Sequence, residues 1–124
     1  MLVGGVHSLF FAIFHCMFWK ELNWKTQLEK VSPTNRAVME ILNLRIIFIF
    51  AFHAAICFIF PQEMLTSTLG KVGLLGAGLF WLGRTIEQVV YRKLMPEKEA
   101  IDIALWVLFI GGTIIYGILF GMSL

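Results

Sequence analysis

The fold class is decided by residues 41–60, which read ILNLRIIFIFAFHAAICFIF and stand directly before Pro61. Arg45 is the one Lys, Arg, Asp or Glu residue in this stretch. A helix needs about 20 mostly apolar residues to cross a bilayer, because lipid cannot satisfy exposed backbone N–H and C=O groups. The stretch therefore predicts a membrane-spanning helix over residues 40–60.

The composition of the whole chain indicates the same class. Hydrophobic residues make up 59% of the 124 residues and charged residues 15%, whereas a soluble domain has about 45–50% apolar and about 25% charged residues. In water, such a chain would expose large apolar patches. The net charge is only +2 and no basic stripe is present, which argues against a nucleic-acid partner.

Three further stretches are apolar enough to span a bilayer. The four predicted spans are residues 1–19, 40–60, 70–91 and 101–124. We therefore expect an all-α polytopic membrane protein, a four-transmembrane-helix bundle that forms a single domain over residues 1–124. Ser32 and Pro33 match a helix N-cap followed by proline at the first helical position, so the second helix is expected to begin at Pro33.

The charges of the connections predict the orientation. Residues 20–36 carry four Lys or Arg residues, and residues 92–100 carry three. Cations mark the cytoplasmic side of a membrane, and in a four-span chain these two connections share a side. Both termini are expected to be extracytoplasmic, and the size and the lack of a targeting signal favour a bacterial cytoplasmic membrane.

The first connection has an amphipathic pattern. Trp24, Leu28 and Val31 fall on one helical face, while Lys25 and Lys30 turn away from it. This pattern is typical of a short helix that lies in the membrane interface. An ordinary linker is the alternative.

Small residues indicate where helices pack, because helices in lipid associate through close approach rather than the hydrophobic effect. The third span carries Gly73 and Ala77, and the fourth carries Thr113, Gly117 and Gly121, each set at four-residue spacing. Both ridges are expected to face protein, within the bundle or in a homo-oligomer.

Polar residues of the second and third spans lie at one level. With a rise of about 1.5 Å per residue, six of them fall within about 10 Å of the cytoplasmic edge. These are Glu40, Asn43, Arg45, Arg84, Glu87 and Gln88. Because an unpaired charge in hydrocarbon is costly, the arginines and glutamates are expected to pair. The set is either structural or forms a polar binding pocket.

A second layer contains His7, His53 and Thr113, at a depth of about 18 Å for the two histidines. Two level histidines are suited to axial haem ligation, metal binding or proton relay. Hydrogen bonds to a carbonyl or to Thr113 are the structural alternative. No metal or other cofactor is expected, and haem is the alternative.

Two resemblances are carried by motifs. The segment SPTNRAVM at residues 32–39, with Asn43 and the later FWL at residues 80–82 before Arg84, resembles an uncharacterised bacterial family of four-helix membrane proteins. Arg36, Asn43 and Arg84 also give a fainter likeness to the MAPEG family of membrane glutathione transferases and relatives. That second likeness implies a small-molecule site near the cytoplasmic face. The chain departs from MAPEG at Met39 and Ile46, where an arginine and a glutamate would stand.

The sequence favours a non-enzymatic accessory or structural subunit over an enzyme, because none of the usual catalytic motifs is present. Its partners would be the lipid bilayer and either a second copy or a larger membrane protein. A membrane enzyme or small-molecule binder similar to MAPEG proteins is the alternative. A haem-binding or transport protein is a further alternative.

Overall fold

The computed structural model describes the backbone of residues 1–91 and 99–124, and the side chains of residues 1–91 and 102–124. Every regular element in these ranges is helical, and they contain no strand. The elements are α1 (Leu2–Cys16), α2 (Phe18–Glu21), α3 (Trp24–Gln27), a 3₁₀ turn (Leu28–Lys30), α4 (Pro33–Ile59), α5 (Pro61–Thr66), α6 (Thr68–Tyr91) and α7 (Glu99–Ser123). Most of the basic connection predicted at residues 92–100 lies outside the described residues.

Both ends of α4 follow from local sequence. The Ser32 hydroxyl accepts a hydrogen bond from the Asn35 backbone N–H at 3.3 Å, and Pro33 is the first helical residue. Proline fits there because its missing N–H would have no intrahelical partner. The helix ends before Phe60, since the ring of Pro61 disfavours the helical conformation of the residue before it. The predicted N-cap is confirmed.

The first helix is shorter than the predicted span 1–19, which is wrong at its C-terminal end. α1 ends at Cys16, and α2 is a separate short helix. The side-chain amide of Asn43, from α4, donates to the His15 backbone carbonyl at 3.1 Å. Carbonyls in the last turn of a helix have no intrahelical donor, so Asn43 caps α1 where the chain turns away.

The turn between the second and third predicted spans contains a helix that the sequence analysis did not predict. α5 begins at Pro61, and Ser67 is extended between α5 and α6. The Ser67 hydroxyl accepts a hydrogen bond from the Gly70 backbone N–H at 2.9 Å, which caps the start of α6. α6 then runs to Tyr91, the predicted end of the third span.

The chain forms two compact units. The first unit consists of residues 4–59 together with Leu2, and the second unit of residues 60–124 together with Met1 and Val3. In the first unit α1 and α4 are antiparallel, since Ser8 meets His53 and His15 meets Asn43. The second unit is built mainly on the antiparallel pair α6 and α7.

Two of these helices are long and apolar enough to cross a membrane, Pro33–Ile59 and the Asp102–Ser123 portion of α7. Only 17% of the most apolar part of the first and 22% of that of the second is buried. α1 is apolar but has 15 residues, and α6 carries Lys71, Arg84 and Glu87. The structure thus establishes an all-helical chain with two candidate spans.

Glycine contacts correct the predicted packing ridges. A Cβ atom placed on Gly78 would lie 3.8 Å from the Gly117 backbone nitrogen and from the Tyr116 Cβ, so α6 approaches α7 closely there. Gly117 and Gly121 are themselves exposed, and an added Cβ would meet no described atom within 4 Å. The α7 face against α6 carries larger side chains such as Tyr116, which is fully buried. A ridge contact with a second chain stays a prediction. Gly73 is exposed and Ala77 is half-buried.

Replacing Gly70 tests the α5–α6 junction. A Cβ at this position would lie 2.5 Å from the backbone oxygens of both Glu63 and Met64. Because backbone cannot move as a side-chain tip can, Gly70→Ala should destabilise the protein by roughly 1–3 kcal/mol. We expect its thermal unfolding midpoint in mild detergent to fall by several degrees.

Gly76→Ala is the matched control, since a Cβ there meets no described atom within 4 Å. Alanine favours a helix by about 1 kcal/mol over glycine, so this variant should match or slightly exceed the wild-type midpoint. Equal midpoints for the two variants would contradict the close approach at Gly70.

Candidate functional site

In the first unit, four side chains form a polar layer between α1 and α4, here called the histidine layer: His7, Ser8, His53 and Cys57. Ser8 Oγ and His53 Nδ1 form a hydrogen bond of 2.9 Å. Cys57 Sγ lies 4.0 Å from the same ring nitrogen. His7 precedes Ser8 on α1 and is also buried.

Helical periodicity places these groups together. His53 and Cys57 are one turn apart on α4, and helical residues four positions apart share a face. His7 packs on the Phe11 ring with centroids 5.1 Å apart, and Phe11 in turn contacts Phe50 at 5.6 Å. Aromatic rings from both α1 and α4 therefore pack next to the histidine layer.

The Ser8–His53 distance is in the range in which an imidazole can accept a hydroxyl proton, the geometry of a nucleophile and its base. Ser8 and Cys57 are each only 1% exposed. A substrate reaching either atom would have to displace the packed helices. In this structure the hydrogen bond between Ser8 and His53 joins α1 to α4. The geometry therefore supports a structural role better than a catalytic one.

A second polar contact joins the same helices nearer the end of α1. Asn43 is buried, and its amide caps α1 through the His15 carbonyl. The His15 ring donates from Nδ1 to the Phe11 carbonyl at 2.8 Å and stacks on Phe18 with centroids 4.5 Å apart. Asn43 thus satisfies a backbone group that would otherwise face apolar side chains.

In the second unit, Gln88 and Asp102 form a buried polar pair. Gln88 donates from Nε2 to the Asp102 carboxylate at 2.6 Å, and both side chains are buried. The contact joins the end of α6 to the start of the apolar part of α7. The sequence analysis placed Gln88 in the polar set of the second and third spans and did not predict Asp102 as its partner. Asp102 takes this role because the antiparallel pairing places it opposite Gln88.

Arg84 lies one turn from Gln88 and has two contacts. It forms an ion pair with Glu87 on its own helix, as expected from their spacing. Its guanidinium carbon also lies 4.9 Å from the centroid of the Phe109 ring on α7. Phe109 stacks on Trp81 at 5.8 Å, so the cation rests on a fixed aromatic surface. Such contacts contribute about 0.5–1 kcal/mol at exposed sites.

Two of the predicted polar residues of α4, Glu40 and Arg45, have partners nearby on that helix. Glu40 accepts a hydrogen bond from the guanidinium of Arg36 at 2.9 Å. The Arg45 guanidinium carbon lies 5.9 Å from the centroid of the Phe48 ring. Because α4 belongs to the first unit and Arg84 and Glu87 to the second, a common polar set across both helices stays a prediction.

In the first unit, His53 bonds to Ser8, the neighbour of His7 on α1, and the common level of His7, His53 and Thr113 stays a prediction. Thr113 lies in the second unit and donates its hydroxyl to the Phe109 carbonyl on its own helix at 3.0 Å. The sequence analysis did not predict Ser8, which shares a hydrogen bond with His53. Ser8, Cys57 and Asp102 were not predicted as site residues. An isolated serine, cysteine or aspartate gives little signal in a sequence, because each also occurs in purely structural positions.

Among the described residues, no group of three or more His, Cys, Asp or Glu side chains could hold a metal ion. Comparison of the chain with protein-family models, with curated proteins and with solved structures finds no match. The functional interpretation therefore rests on the geometry of the two units.

A double-mutant cycle on Gln88 and Asp102 tests the pair in the second unit. Gln88→Leu removes the amide donor from a buried carboxylate and should cost roughly 1–3 kcal/mol, because an unsatisfied buried acceptor is expensive. Asp102→Leu should also destabilise. The double variant should be clearly less harmful than the sum, as expected for contacting residues. Additive losses in unfolding free energy would contradict a direct interaction.

Ser8→Ala tests the histidine layer. It removes a hydrogen bond between two helices and should lower stability by about 1–3 kcal/mol. Ser123→Ala is the control, since the buried Ser123 hydroxyl bonds only within its own helix turn, to the Phe120 carbonyl. Its effect should be smaller. If both variants unfold at the same temperature, the Ser8–His53 bond does not hold α1 to α4.

Proposed function

We propose that this chain is a small multi-pass integral membrane protein with four crossings and both termini outside the cytoplasm. It would serve as a non-enzymatic accessory or structural subunit in a bacterial cytoplasmic membrane. Its partners would be the lipid bilayer and either a second copy of the chain or a larger membrane protein.

The supporting observation is the distribution of polarity on the helices. The exposed surfaces of α4 and α7 consist largely of big apolar side chains, among them Phe48, Phe52, Val107 and Ile118. The buried set instead includes polar residues: His7, Ser8, Asn43, Gln88, Asp102 and Ser123. A core helix of a soluble protein would be mostly buried, with its polar side chains outward. Apolar exteriors over polar contacts suit immersion in lipid.

α1 and α6 supply the two further crossings in this proposal. α1 exposes Leu2, Val6, Phe10 and Ile13, and its 15 residues correspond to about 22 Å of helix. A span this short is accommodated by local thinning of the bilayer.

α6 has 24 residues, about 36 Å of helix, and exposes Val72, Leu79 and Ile86 among other apolar side chains. Lys71 stands near one end of α6, and Arg84 pairs with Glu87 toward the other. Long cationic side chains near helix ends can reach the interface. These positions leave the middle of α6 apolar.

The hydrogen-bond partners of the buried polar groups support a structural role. Ser8 with His53, Asn43 with the His15 carbonyl, and Gln88 with Asp102 each join two helices. Contacts of this kind fix helix register in lipid, where the hydrophobic effect does not. A subunit that presents a rigid apolar exterior to lipid and to a membrane partner needs this internal pairing.

Haem binding is a second candidate, favoured by the proximity of His7 and His53. A ligating histidine usually donates a hydrogen bond from its second ring nitrogen, and the Ser8 hydroxyl could accept one from His53 Nδ1. Protein purified from native membrane should then show a Soret band that His53→Ala abolishes. A spectrum without that band would end this candidate.

Membrane extraction and reporter fusions test the main proposal. The chain should stay in the pellet after alkaline washing of membranes. Reporters placed at the C-terminus and in the turn near Gln62 should be active outside the cytoplasm, and one placed near Lys25 inside. Three proposed crossings separate Lys25 from the C-terminus, so a C-terminal reporter on the same side as Lys25 would contradict the proposed topology.

A further inference from the structure

The segment from Met17 to Val31 lies beyond the end of α1. The Asn43 contact with the His15 carbonyl sets the end of α1 level with a point ten residues into α4. At about 1.5 Å per residue, roughly 15 Å of α4 extends past α1. The 3₁₀ turn at Leu28–Lys30 contacts α4.

The inner side of the segment is anchored by apolar residues. Trp24 and Leu28 are buried, and the Trp24 ring contacts those of Phe18 at 5.7 Å and Trp19 at 6.2 Å. Asn23 adopts φ 50°, a left-handed conformation that asparagine tolerates, and it reverses the chain so that α3 follows α2. The segment is therefore folded against its unit, with a defined outer side.

The outer side combines cations and apolar surface. Lys20, Lys25 and Lys30 are exposed, and the ion pairs seen within residues 1–91 and 102–124 involve none of them. Trp19 and Leu22 are exposed beside them, at 41% and 38%. Ammonium groups next to tryptophan and leucine are the composition of surfaces that lie in the headgroup layer.

We propose that this outer side binds the phosphate groups of anionic phospholipids in the cytoplasmic leaflet, through Lys20, Lys25 and Lys30. The proposal rests on the membrane immersion proposed above. Glu21 and Glu29 lie on the same segment, so attraction comes from individual ammonium–phosphate contacts rather than from a strong net charge.

The length of α4 agrees with this placement. If Ile59 lies at the outer edge of a hydrocarbon core about 30 Å thick, the inner edge falls about 20 residues earlier, near Met39. The first turns of α4, from Pro33, then lie among the headgroups. The three lysines precede Pro33 in the chain, and Lys30 lies in the 3₁₀ turn that contacts α4.

The test is a lipid titration of the full chain in mild detergent, followed by its thermal unfolding midpoint. Phosphatidylglycerol should raise the midpoint at lower concentrations than phosphatidylcholine, because a ligand of the folded state stabilises it. The variant with Lys20→Gln, Lys25→Gln and Lys30→Gln should bind phosphatidylglycerol at least about fivefold more weakly. Arginine at the same three positions should retain binding.

Lys71→Gln, which removes a cation from α6, is the control and should leave the phosphatidylglycerol titration unchanged. Inorganic phosphate at equal concentration should not reproduce the stabilisation, and if it does, the ligand is free phosphate rather than lipid. Equal phosphatidylglycerol affinity of wild type and the triple glutamine variant would overturn the proposal. Loss of the protein from alkaline-washed membranes would instead refute the immersion on which it rests.

Discussion

Each buried polar side chain between the apolar helices of this chain needs a partner inside the protein, and this constraint organises both units. An unsatisfied amide or hydroxyl in apolar surroundings costs several kcal/mol. Ser8 and His53 meet this requirement in the first unit, and Gln88 and Asp102 meet it in the second. Because a hydrogen bond tolerates only small displacements, each pair also fixes the register of the two helices that it joins.

Helix positions were largely predictable from the sequence, because they depend on local signals. Ser32 with Pro33 gives the start of α4, and Pro61 gives its end. The end of α1 was not predictable in this way. It depends on the Asn43 side chain, which reaches the α1 carbonyl from 28 residues further along the chain, and no local pattern shows such a contact.

In the candidate site, too, local contacts were predictable from the sequence and contacts between helices were not. The Arg84–Glu87 pair was predictable because it follows from spacing on one helix. Depth does not define which side of a helix faces its neighbour. For that reason the sequence did not show that Asp102 is the partner of Gln88, or that an added Cβ atom on Gly117 or Gly121 would meet no described atom within 4 Å.

Each unit is made of elements that are consecutive in the chain, and this affects how the protein can be made. All of the hydrogen bonds that join α1 to α4 lie before residue 60, and those that join α6 to α7 lie after it. Protein segments generally fold as units in the order of their synthesis. The ribosome therefore delivers both partners of the Ser8–His53 and Asn43–His15 hydrogen bonds before it starts on the second half of the chain. Assembly of the first half does not depend on residues that are made later.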